Sequence, residues 1–348
     1  MKQEPRPARA ENPLPSGRGE VKRTLITGGA GLIGSALTRR LCAEGHEVTV
    51  LDDMSRGRPD RLAGTGCQIA YGDVRDAGAV RRAMQGCERV IHAAFIQGTA
   101  SFYSEPRHVL DVALNGIMNV LDGCEHTGCG DLLLVSSSEV YQSAPVVPTP
   151  ETVPMSVPDP CNPRYSYGGG KIASELAALA WQRTGVLGRL VIARPHNVYA
   201  EDAGWKHVIP ELAVQMAQLI SERPSGPLPL PIQGSGAETR AFCHLSDCID
   251  AFVLLLDEST PDGIYNIGND EEVTIARLAG LIGEHYDREV KVVPGVLAAG
   301  STPRRCPDIT KIRALGYEPK IPLAEGLPPV LDWYAAHPQH AEVRDRAA

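Results

Sequence analysis

The 348-residue sequence has no apolar segment that approaches the roughly 20 residues needed to cross a membrane. Residues 1–20 are rich in Pro, Arg and Glu and lack the apolar run of a secretion signal, so we predict a disordered tail there. The formal net charge is -8, and Lys and Arg are scattered rather than clustered, which argues against binding to nucleic acid or to an anionic membrane. We therefore expect a cytoplasmic protein that binds neither.

Closely spaced cysteines are also absent. The nine cysteines include no Cys-x-x-Cys pair, and none has the spacing to histidine that a structural metal site requires. They lie mostly in apolar or helical stretches, so we expect reduced, buried thiols. The sequence predicts no metal site.

From Val21 onward, short runs rich in Leu or β-branched residues alternate with segments of helical period. Such alternation is typical of an α/β protein, namely a Rossmann-type doubly wound parallel sheet with helices on both faces. We expect this sheet to be built from residues 21–195 and 236–266. Residues 196–235 and 267–338 are predicted to form a smaller mixed α/β lobe. The expected strand runs are VKRTLITG, HEVTVLDD, QIAYGDV, RVIHAAF, DLLLVSSS and RLVIARP.

The segment TLITGGAGLIGSAL places three glycines between the first strand and the first helix: Gly28, Gly31 and Gly34. Glycine there lets the backbone turn tightly and approach a pyrophosphate, whose charge the helix N-terminus meets. About twenty residues further on, the second strand ends at Asp52 and Asp53. A carboxylate at this point can bind ribose hydroxyls and repels a 2′-phosphate. The pattern predicts NAD rather than NADP as cofactor.

Two segments contain candidate catalytic side chains. VSSSEVY follows a predicted strand, and PRYSYGGGKIASEL places Tyr167 and Lys171 four residues apart, on one face of a helix. A phenol titrates near pH 10, so it becomes a base at neutral pH when positive charge lies beside it. Lys171 and an oxidised nicotinamide would supply that charge. The intervening Gly168–Gly170 disfavours a helix by about 1 kcal/mol per residue, which suggests close packing against the cofactor or a neighbouring helix.

From about Val21 to about Tyr334, the chain resembles the extended short-chain dehydrogenase/reductases that act on nucleotide sugars as epimerases, dehydratases or decarboxylases. The resemblance implies an NAD-dependent enzyme with a nucleotide-sugar substrate. It also implies a homodimer formed through the helix that carries Tyr167. The large sheet would bind NAD, and the lobe would bind the nucleotide sugar. The similarity lies in TGGAGLIGS, LDDMSRG, GDVRD, HAA, the Tyr-Lys pair, RPHNVY, GSGAETRAF and RRCPD.

The same resemblance implies roles for individual residues. The catalytic group would be Ser137, Tyr167, Lys171 and Glu139. The cofactor would contact Gly28, Gly31, Leu32, Ile33, Asp52, Asp53, Ser55, Arg56, Asp73, Val74, Ala93, Ala94, Asn115, Tyr167, Lys171 and Pro195. The substrate would contact Ser138, Glu139, Asn197, Val208, Arg240, Arg305 and Asp308.

The reaction itself stays open at this point. All members would first oxidise carbon 4 of the sugar. A 4-epimerase then needs only a roomy pocket, whereas a 4,6-dehydratase abstracts the carbon 5 proton with an Asp-Glu or Ser-Glu pair. A uronate decarboxylase uses Ser-Glu and an Arg. Ser138, Glu139 and Arg305 fit the last two patterns at least as well as the first, and PDITKIRALGYEPKIPLAEGL looks most like decarboxylases.

Some residues depart from the family pattern: Gln142 follows Val140-Tyr141 where glycine is usual, and His196 follows Pro195 where an apolar residue is common. We predict a 4-epimerase, because it requires the fewest groups beyond those present. The decarboxylase and the dehydratase are the alternatives. A non-catalytic NAD-binding sensor is a third, although the hydroxyl, Tyr and Lys whose loss would mark such a protein are all present.

Overall fold

The computed structural model describes residues 21–205, 207–297 and 300–337. The predicted tail and residue 338 of the predicted lobe lie outside the described residues. The main element is a parallel seven-stranded sheet in the order β11-β6-β5-β4-β1-β2-β3. Its strands are β1 (Arg23–Thr27), β2 (Glu47–Asp52), β3 (Gln68–Tyr71), β4 (Arg89–His92), β5 (Asp131–Val135), β6 (Arg189–Pro195) and β11 (Gly263–Ile267).

Ten helices accompany the described strands. They are α1 (Leu32–Ala43), α2 (Ala77–Met84), α3 (Thr99–Ser104), α4 (Pro106–Thr127), α5 (Tyr165–Arg183), α6 (Val208–Glu222), α7 (Leu245–Leu256), α8 (Ile275–His285), α9 (Thr310–Arg313) and α10 (Leu323–Ala336). The shorter strands are β7 (Val198–Tyr199), β8 (Leu228–Pro231), β9 (Thr239–Ala241), β10 (Cys243–His244), β12 (Glu272–Thr274), β13 (Val290–Val293) and β14 (Arg304–Arg305). The Rossmann-type fold predicted from the alternating pattern is confirmed.

Both faces of the large sheet are covered, which explains why its central strands are mostly apolar and buried. Successive side chains of a strand point to opposite faces. Ile26 and Leu133 therefore pack with α1 and α7, whereas Leu25 and Leu132 pack with α2, α4 and α5. The strand order reverses between β1 and β4, and ligands of such sheets bind outside the carboxyl ends of the strands at this point.

A second core lies in the lobe, where α6, α8 and α10 pack around the β8–β13 pair. One part of the predicted lobe does not join it. Ile312 of α9 and Tyr317 are buried in the core of the large sheet, together with α1 and α7. This segment was predicted to belong to the lobe but packs with the large sheet. The domain boundaries themselves stay a prediction.

A buried polar network joins the sheet to α5. Arg194 of β6 is 1% exposed and Glu175 of α5 is 0% exposed, with 2.5 Å between Nη2 and Oε2. Glu175 also accepts a hydrogen bond from the Ser136 hydroxyl, while Arg194 donates to the Tyr141 hydroxyl at 2.7 Å. The Tyr141 hydroxyl donates in turn to Oδ1 of Asn266 at 2.9 Å. These bonds hold α5 against the ends of β5, β6 and β11.

Replacing one member of this network tests its contribution to stability. We expect Arg194→Met to lower the free energy of unfolding by about 3–5 kcal/mol, because the Glu175 carboxylate stays buried without its partner. The measurement is urea denaturation followed by circular dichroism. The control is Arg277→Met, which removes an exposed ion pair with Glu284 and should cost less than about 1 kcal/mol. Equal losses in both variants would contradict this account.

Candidate active site

The glycine loop between β1 and α1 leaves no room for side chains. Gly28 has a φ of 68°, and a Cβ added there would lie 2.7 Å from the Cα of Ala94. A Cβ at Gly34 would lie 2.1 Å from the carbonyl oxygen of Gly28. Gly31 precedes α1 and offers no side-chain cap, so the first amide groups of this 12-residue helix can bind a phosphate. The loop therefore fits the pyrophosphate of NAD.

Asp52 and Asp53, at the end of β2, have different surroundings. Asp52 is 7% exposed, and its carboxylate accepts hydrogen bonds from the amides of Ala30 and Met54, each at 2.9 Å. It thereby supports the glycine loop. Asp53 is exposed, and its carboxylate binds the amide and hydroxyl of Ser55. The predicted contact of these carboxylates with the adenosine ribose stays a prediction, and an extra phosphate there would meet negative charge.

Most of the other predicted cofactor residues lie along the same edge of the sheet, with Asn115 as the exception. Asp73 follows β3 and forms an ion pair with Arg75 at 2.6 Å, which holds the pKa of the Asp73 carboxyl below its usual range. Ala93 and Ala94 follow β4 beside Gly28. Leu32 and Ile33 begin α1, Val74 follows Asp73, Arg56 lies near Gly98, and Pro195 ends β6.

Ser137, Tyr167 and Lys171 meet where β5 ends against α5. The Tyr167 hydroxyl hydrogen-bonds to the Ser137 hydroxyl, and Lys171 Nζ donates to the carbonyl of Val135 at 2.7 Å. Burial raises the pKa of Tyr167 to about 12, although the bond to Ser137 acts in the opposite direction. Burial lowers the pKa of Lys171 to about 7, against the influence of Glu175. Both shifts favour the neutral forms.

The sequence suggested that the three glycines of α5 allow close packing, and two of them do so. A Cβ at Gly168 would lie 2.4 Å from Nε2 of Gln142, and one at Gly170 would lie 2.8 Å from Cβ of Ala113 in α4. Gly169 is different, since its Cβ would make an ordinary 3.8 Å contact with Val157. The low helix propensity of two glycines is therefore offset by close approach of neighbouring segments.

Glu139 lies in a cluster of arginines next to Tyr167. Its Oε1 is 2.6 Å from Nη1 of Arg305. Burial by itself raises the pKa of Glu139, but Arg305, Arg164 and Arg240 outweigh it, so the net pKa is lowered and the group is ionised at neutral pH. Arg240 is itself partly buried, and burial together with Arg305 lowers its pKa to about 10. One carboxylate thus faces three guanidinium groups.

The structure corrects one sequence-based assignment. Asn115 does not reach the active site: it is exposed on α4, and its amide donates to Asp111 at 2.6 Å. Successive helical residues differ by about 100° in direction, and here Ala113 and Gly116 face inward. Ala113 is an α4 residue that does face α5, where it lies beside Gly170.

Of the remaining predicted substrate residues, some lie beside the arginine cluster and others make contacts elsewhere. Asn197 has a φ of 41°, and its amide donates to the carbonyl of Ala241 beside Arg240. Asp308 follows Arg305 closely, but its carboxylate binds the amide of Thr310 at the start of α9. Val208 begins α6 and packs on the lobe core, and Ser138 is buried beside Glu139.

The two residues that depart from the family pattern have structural roles. Gln142 has a φ of 49°, and its side-chain amide donates to the carbonyl of Glu139, which stabilises the turn that follows β5. His196 is 1% exposed, and its Nε2 lies 3.2 Å from Oδ1 of Asn266. Burial lowers the pKa of His196 to about 3, so this imidazole is neutral.

Two further residues at the site were missed by the sequence reasoning. Arg164 immediately precedes α5, three positions before Tyr167, a spacing that places both on one helix face. Phe95 directly follows the HAA segment, and its ring contacts both Tyr167 and Lys171. The helical spacing could have revealed Arg164. No sequence pattern singled out Phe95, because its contacts join distant segments.

Fold and site together define an NAD-dependent enzyme of the extended short-chain dehydrogenase/reductase type. The model of the NAD dependent epimerase/dehydratase family matches residues 24–268, and the chain belongs to this family. A UDP-glucuronic acid decarboxylase from Danio rerio is 31% identical over 92% of this chain and 74% of its own length. A UDP-N-acetyl-alpha-D-glucosaminuronate decarboxylase from Bacillus cytotoxicus is 28% identical over 90% of this chain and 98% of its own.

Solved structures point to the same family. A UDP-glucose 4-epimerase from Thermotoga maritima with UDP-glucose has a TM-score of 0.79 and 25% identity, over 90% of this chain and 99% of its own. A dTDP-glucose 4,6-dehydratase from Streptomyces venezuelae with bound NAD has a TM-score of 0.79 and 28% identity, over 92% of this chain and 99% of its own. Within the described residues, no helix is long and apolar enough to span a membrane, and no cluster of metal-ligating side chains occurs.

The close packing of the glycine loop leads to a prediction for cofactor binding. We expect Gly34→Ala to weaken NAD binding at least tenfold, because the new Cβ displaces the carbonyl of Gly28 and with it the phosphate-binding turn. Isothermal titration calorimetry with NAD measures this loss. Gly188→Ala is the control, since its nearest neighbour lies 3.9 Å from the added Cβ. Unchanged NAD affinity in a folded Gly34→Ala protein would contradict the assignment of this loop.

Proposed function

We propose that the protein is an NAD-dependent decarboxylase of a nucleotide-activated uronic acid. The observation that carries this proposal is the arginine cluster at the proposed catalytic residues, where Arg305 pairs with Glu139 and the charges of Arg240 and Arg164 act on the same carboxylate. A nucleotide-linked neutral sugar offers only its diphosphate as a partner for this charge. A uronate linked to a nucleoside diphosphate presents two anionic groups, the diphosphate and the sugar carboxylate.

The unpaired positive charge supports an anionic substrate. Three guanidinium groups against the two carboxylates that act on them, those of Glu139 and Glu238, leave an excess of positive charge at the site. In the described part of the chain, the Nε atoms of Arg164 and Arg305 are buried and have no hydrogen-bond partner. A buried donor without a partner is costly, and carboxylate or phosphate oxygens form the strongest bonds to guanidinium. The substrate would therefore complete this cluster.

The chemistry requires few protein groups. Bound NAD supplies the oxidising power at carbon 4 by accepting a hydride, and the proposed role of Tyr167 is to take the proton of the carbon 4 hydroxyl, with Ser137 sharing that oxygen. A ketone at carbon 4 makes the carboxylate at carbon 5 a β-keto acid. Its carbon–carbon bond can break to release carbon dioxide while Tyr167 donates its proton back to the enolate oxygen. Protonation of carbon 5 and return of the hydride to carbon 4 would then give the pentose and leave the cofactor oxidised. Arg305 would orient the carboxylate.

The lowered pKa of Glu139 also bears on the alternatives. An ionised Glu139 paired with Arg305 can accept a proton but cannot donate one. In a 4,6-dehydratase it could therefore act as the base, and Ser138 would be the second member of the Ser-Glu pair. The 4-epimerase predicted from the sequence needs arginines only for the diphosphate of its substrate, and its sugar carries no carboxylate. The names of the two curated relatives described above, both uronate decarboxylases, support the decarboxylase proposal. The 4-epimerase and the dehydratase stay as alternatives.

Arg305 has an adjacent arginine that serves as a matched control. We expect the wild-type protein with NAD to release labelled carbon dioxide from UDP-glucuronate carrying ¹³C in its carboxyl group, and Arg305→Met to lower the rate by about a hundredfold or more. Arg304→Met should stay within about twofold, because Arg304 is 52% exposed and pairs with Glu272 away from the cluster. Mass spectrometry and ¹³C NMR give the products.

The same assay decides between the alternatives. UDP-, dTDP-, GDP-, ADP- and CDP-linked sugars and uronates are incubated with the protein and NAD. Interconversion at unchanged mass would replace the decarboxylase proposal by the 4-epimerase, and loss of water would replace it by the dehydratase. Tight NAD binding without turnover of any member of the panel would favour a sensor.

We also propose a homodimer formed by α4 and α5. The outer face of these helices carries apolar side chains that are 36–55% exposed: Leu110, Leu114, Met118 and Leu176. The first three follow at intervals of four residues and form one stripe along α4. A second copy of the chain would bury this stripe, since exposed apolar patches of this kind mark interfaces.

A charge in the stripe tests the dimer. We expect wild-type protein to elute as a dimer in size-exclusion chromatography with light scattering, and Leu114→Glu to shift it to a monomer, because a carboxylate would be desolvated at the interface. Val296→Glu is the control, as Val296 is 90% exposed outside α4 and α5. A monomeric wild type, or a dimer unaffected by Leu114→Glu, would contradict this arrangement.

A further inference from the structure

Phe95 lies at the carboxyl end of β4, against the catalytic helix. Its ring centroid is 3.8 Å from Nζ of Lys171, and its edge meets the Tyr167 ring at a centroid distance of 5.0 Å. Phe102 stacks on the other side of Tyr167 at 4.9 Å. A cation this close to a ring face is attracted by the negative π surface. Phe95 therefore contacts both members of the proposed catalytic pair.

The packing leaves the ring little freedom. A Cβ added to Gly170 would lie 3.1 Å from Cζ of Phe95 and 2.8 Å from Cβ of Ala113. The glycine immediately before Lys171 and the small alanine on α4 thus form the space that the ring occupies. This space exists because both positions carry minimal side chains.

Lys171 has few other groups that favour its charge. The residue is 3% exposed, and its ammonium donates to the carbonyl of Val135. Glu175, one turn further along α5, is bound to Arg194 and to Ser136. His92 approaches from β4, and burial lowers the pKa of this imidazole to about 3, so it is neutral. The ring face of Phe95 is therefore a major partner of the ammonium.

We propose that Phe95 is a positioning residue of the active site: its ring face holds the Lys171 ammonium, in its charged form, beside Tyr167. This role rests on the proposed function of Tyr167 and Lys171 as the acid–base pair. Burial opposes the charged lysine, as its pKa of about 7 shows, and the cation–π contact acts against that penalty. The charge matters because it favours the phenolate form of Tyr167.

The charged groups around Tyr167 lie on other segments. Burial raises its pKa most, and Glu139 acts in the same direction, whereas Ser137, Arg56 and Arg305 act to lower it. The two arginines are also expected to face substrate or cofactor oxygens. Lys171, held by Phe95, would be the positive charge that stays available to Tyr167 when the arginines are bound to substrate or cofactor.

A lysine titration tests this role without any turnover. The chain has seven lysines, so ¹³C labelling of their side chains gives few NMR signals, and Lys171→Arg identifies the one from Lys171. We compare wild type with Phe95→Leu and with a trifluorinated phenylalanine at position 95, which keeps the ring shape but weakens its negative face. In both variants, with and without NAD, the protonated fraction of Lys171 at pH 7 should fall about fivefold.

The control is Phe242→Leu, the same substitution at a buried phenylalanine of the lobe core. It should lower stability without moving the Lys171 titration. An unchanged Lys171 titration in the trifluorinated protein would overturn the proposal and leave Phe95 as a packing residue. The fluorinated ring keeps its volume, so this outcome is readable even if Phe95→Leu does not fold.

Turnover provides a second readout. As Lys171 loses charge, the phenolate is disfavoured, so the limb of kcat that rises with pH should move to higher pH in both Phe95 variants and stay in place in Phe242→Leu. A lower kcat with an unshifted pH profile would contradict the proposal. If the wild type turns over no uronate, the proposed function fails, whereas the NMR titration still decides the role of Phe95.

Discussion

The buried ion pair between Glu175 and Arg194 is the interaction on which the site depends. It joins α5, which carries Tyr167 and Lys171, to the centre of the sheet, and Glu175 also binds Ser136, next to Ser137. Arg194 reaches Tyr141 in the turn that follows β5. Because a buried charge is tolerated only with its partners in place, this network allows a single arrangement of α5 relative to the strand ends.

Two electrostatic environments meet at Tyr167. On one side, Lys171 and the rings of Phe95 and Phe102 form an enclosed region in which burial favours neutral groups. On the other side, Arg305 and its neighbours form a positive region around Glu139. The first suits the proposed proton transfer at a sugar hydroxyl, because Tyr167 and Lys171 are both buried there. The second suits recognition of anionic groups by charge and by directional hydrogen bonds.

Much of the fold and part of the site could be predicted from the sequence. Six of the seven main strands coincide with apolar runs, and the loop from Gly28 to Gly34 lies where its glycine spacing indicated. These features are local, since each depends on residues within a few positions of one another. Asn115 shows the limit of a match by resemblance: a shift of two residues along a helix turns a side chain from the site to solvent.

By itself the sequence determined the class of fold and the position of the glycine-rich turn, and it singled out Tyr167 and Lys171 as candidates, because periodicity and short motifs are written along the chain. Only the tertiary structure decided that Arg305 pairs with Glu139 across 166 positions, and that Phe95 faces Lys171 through the space left by Gly170. Such contacts depend on how strands and helices pack. Packing is set by the whole core, so no local pattern encodes it.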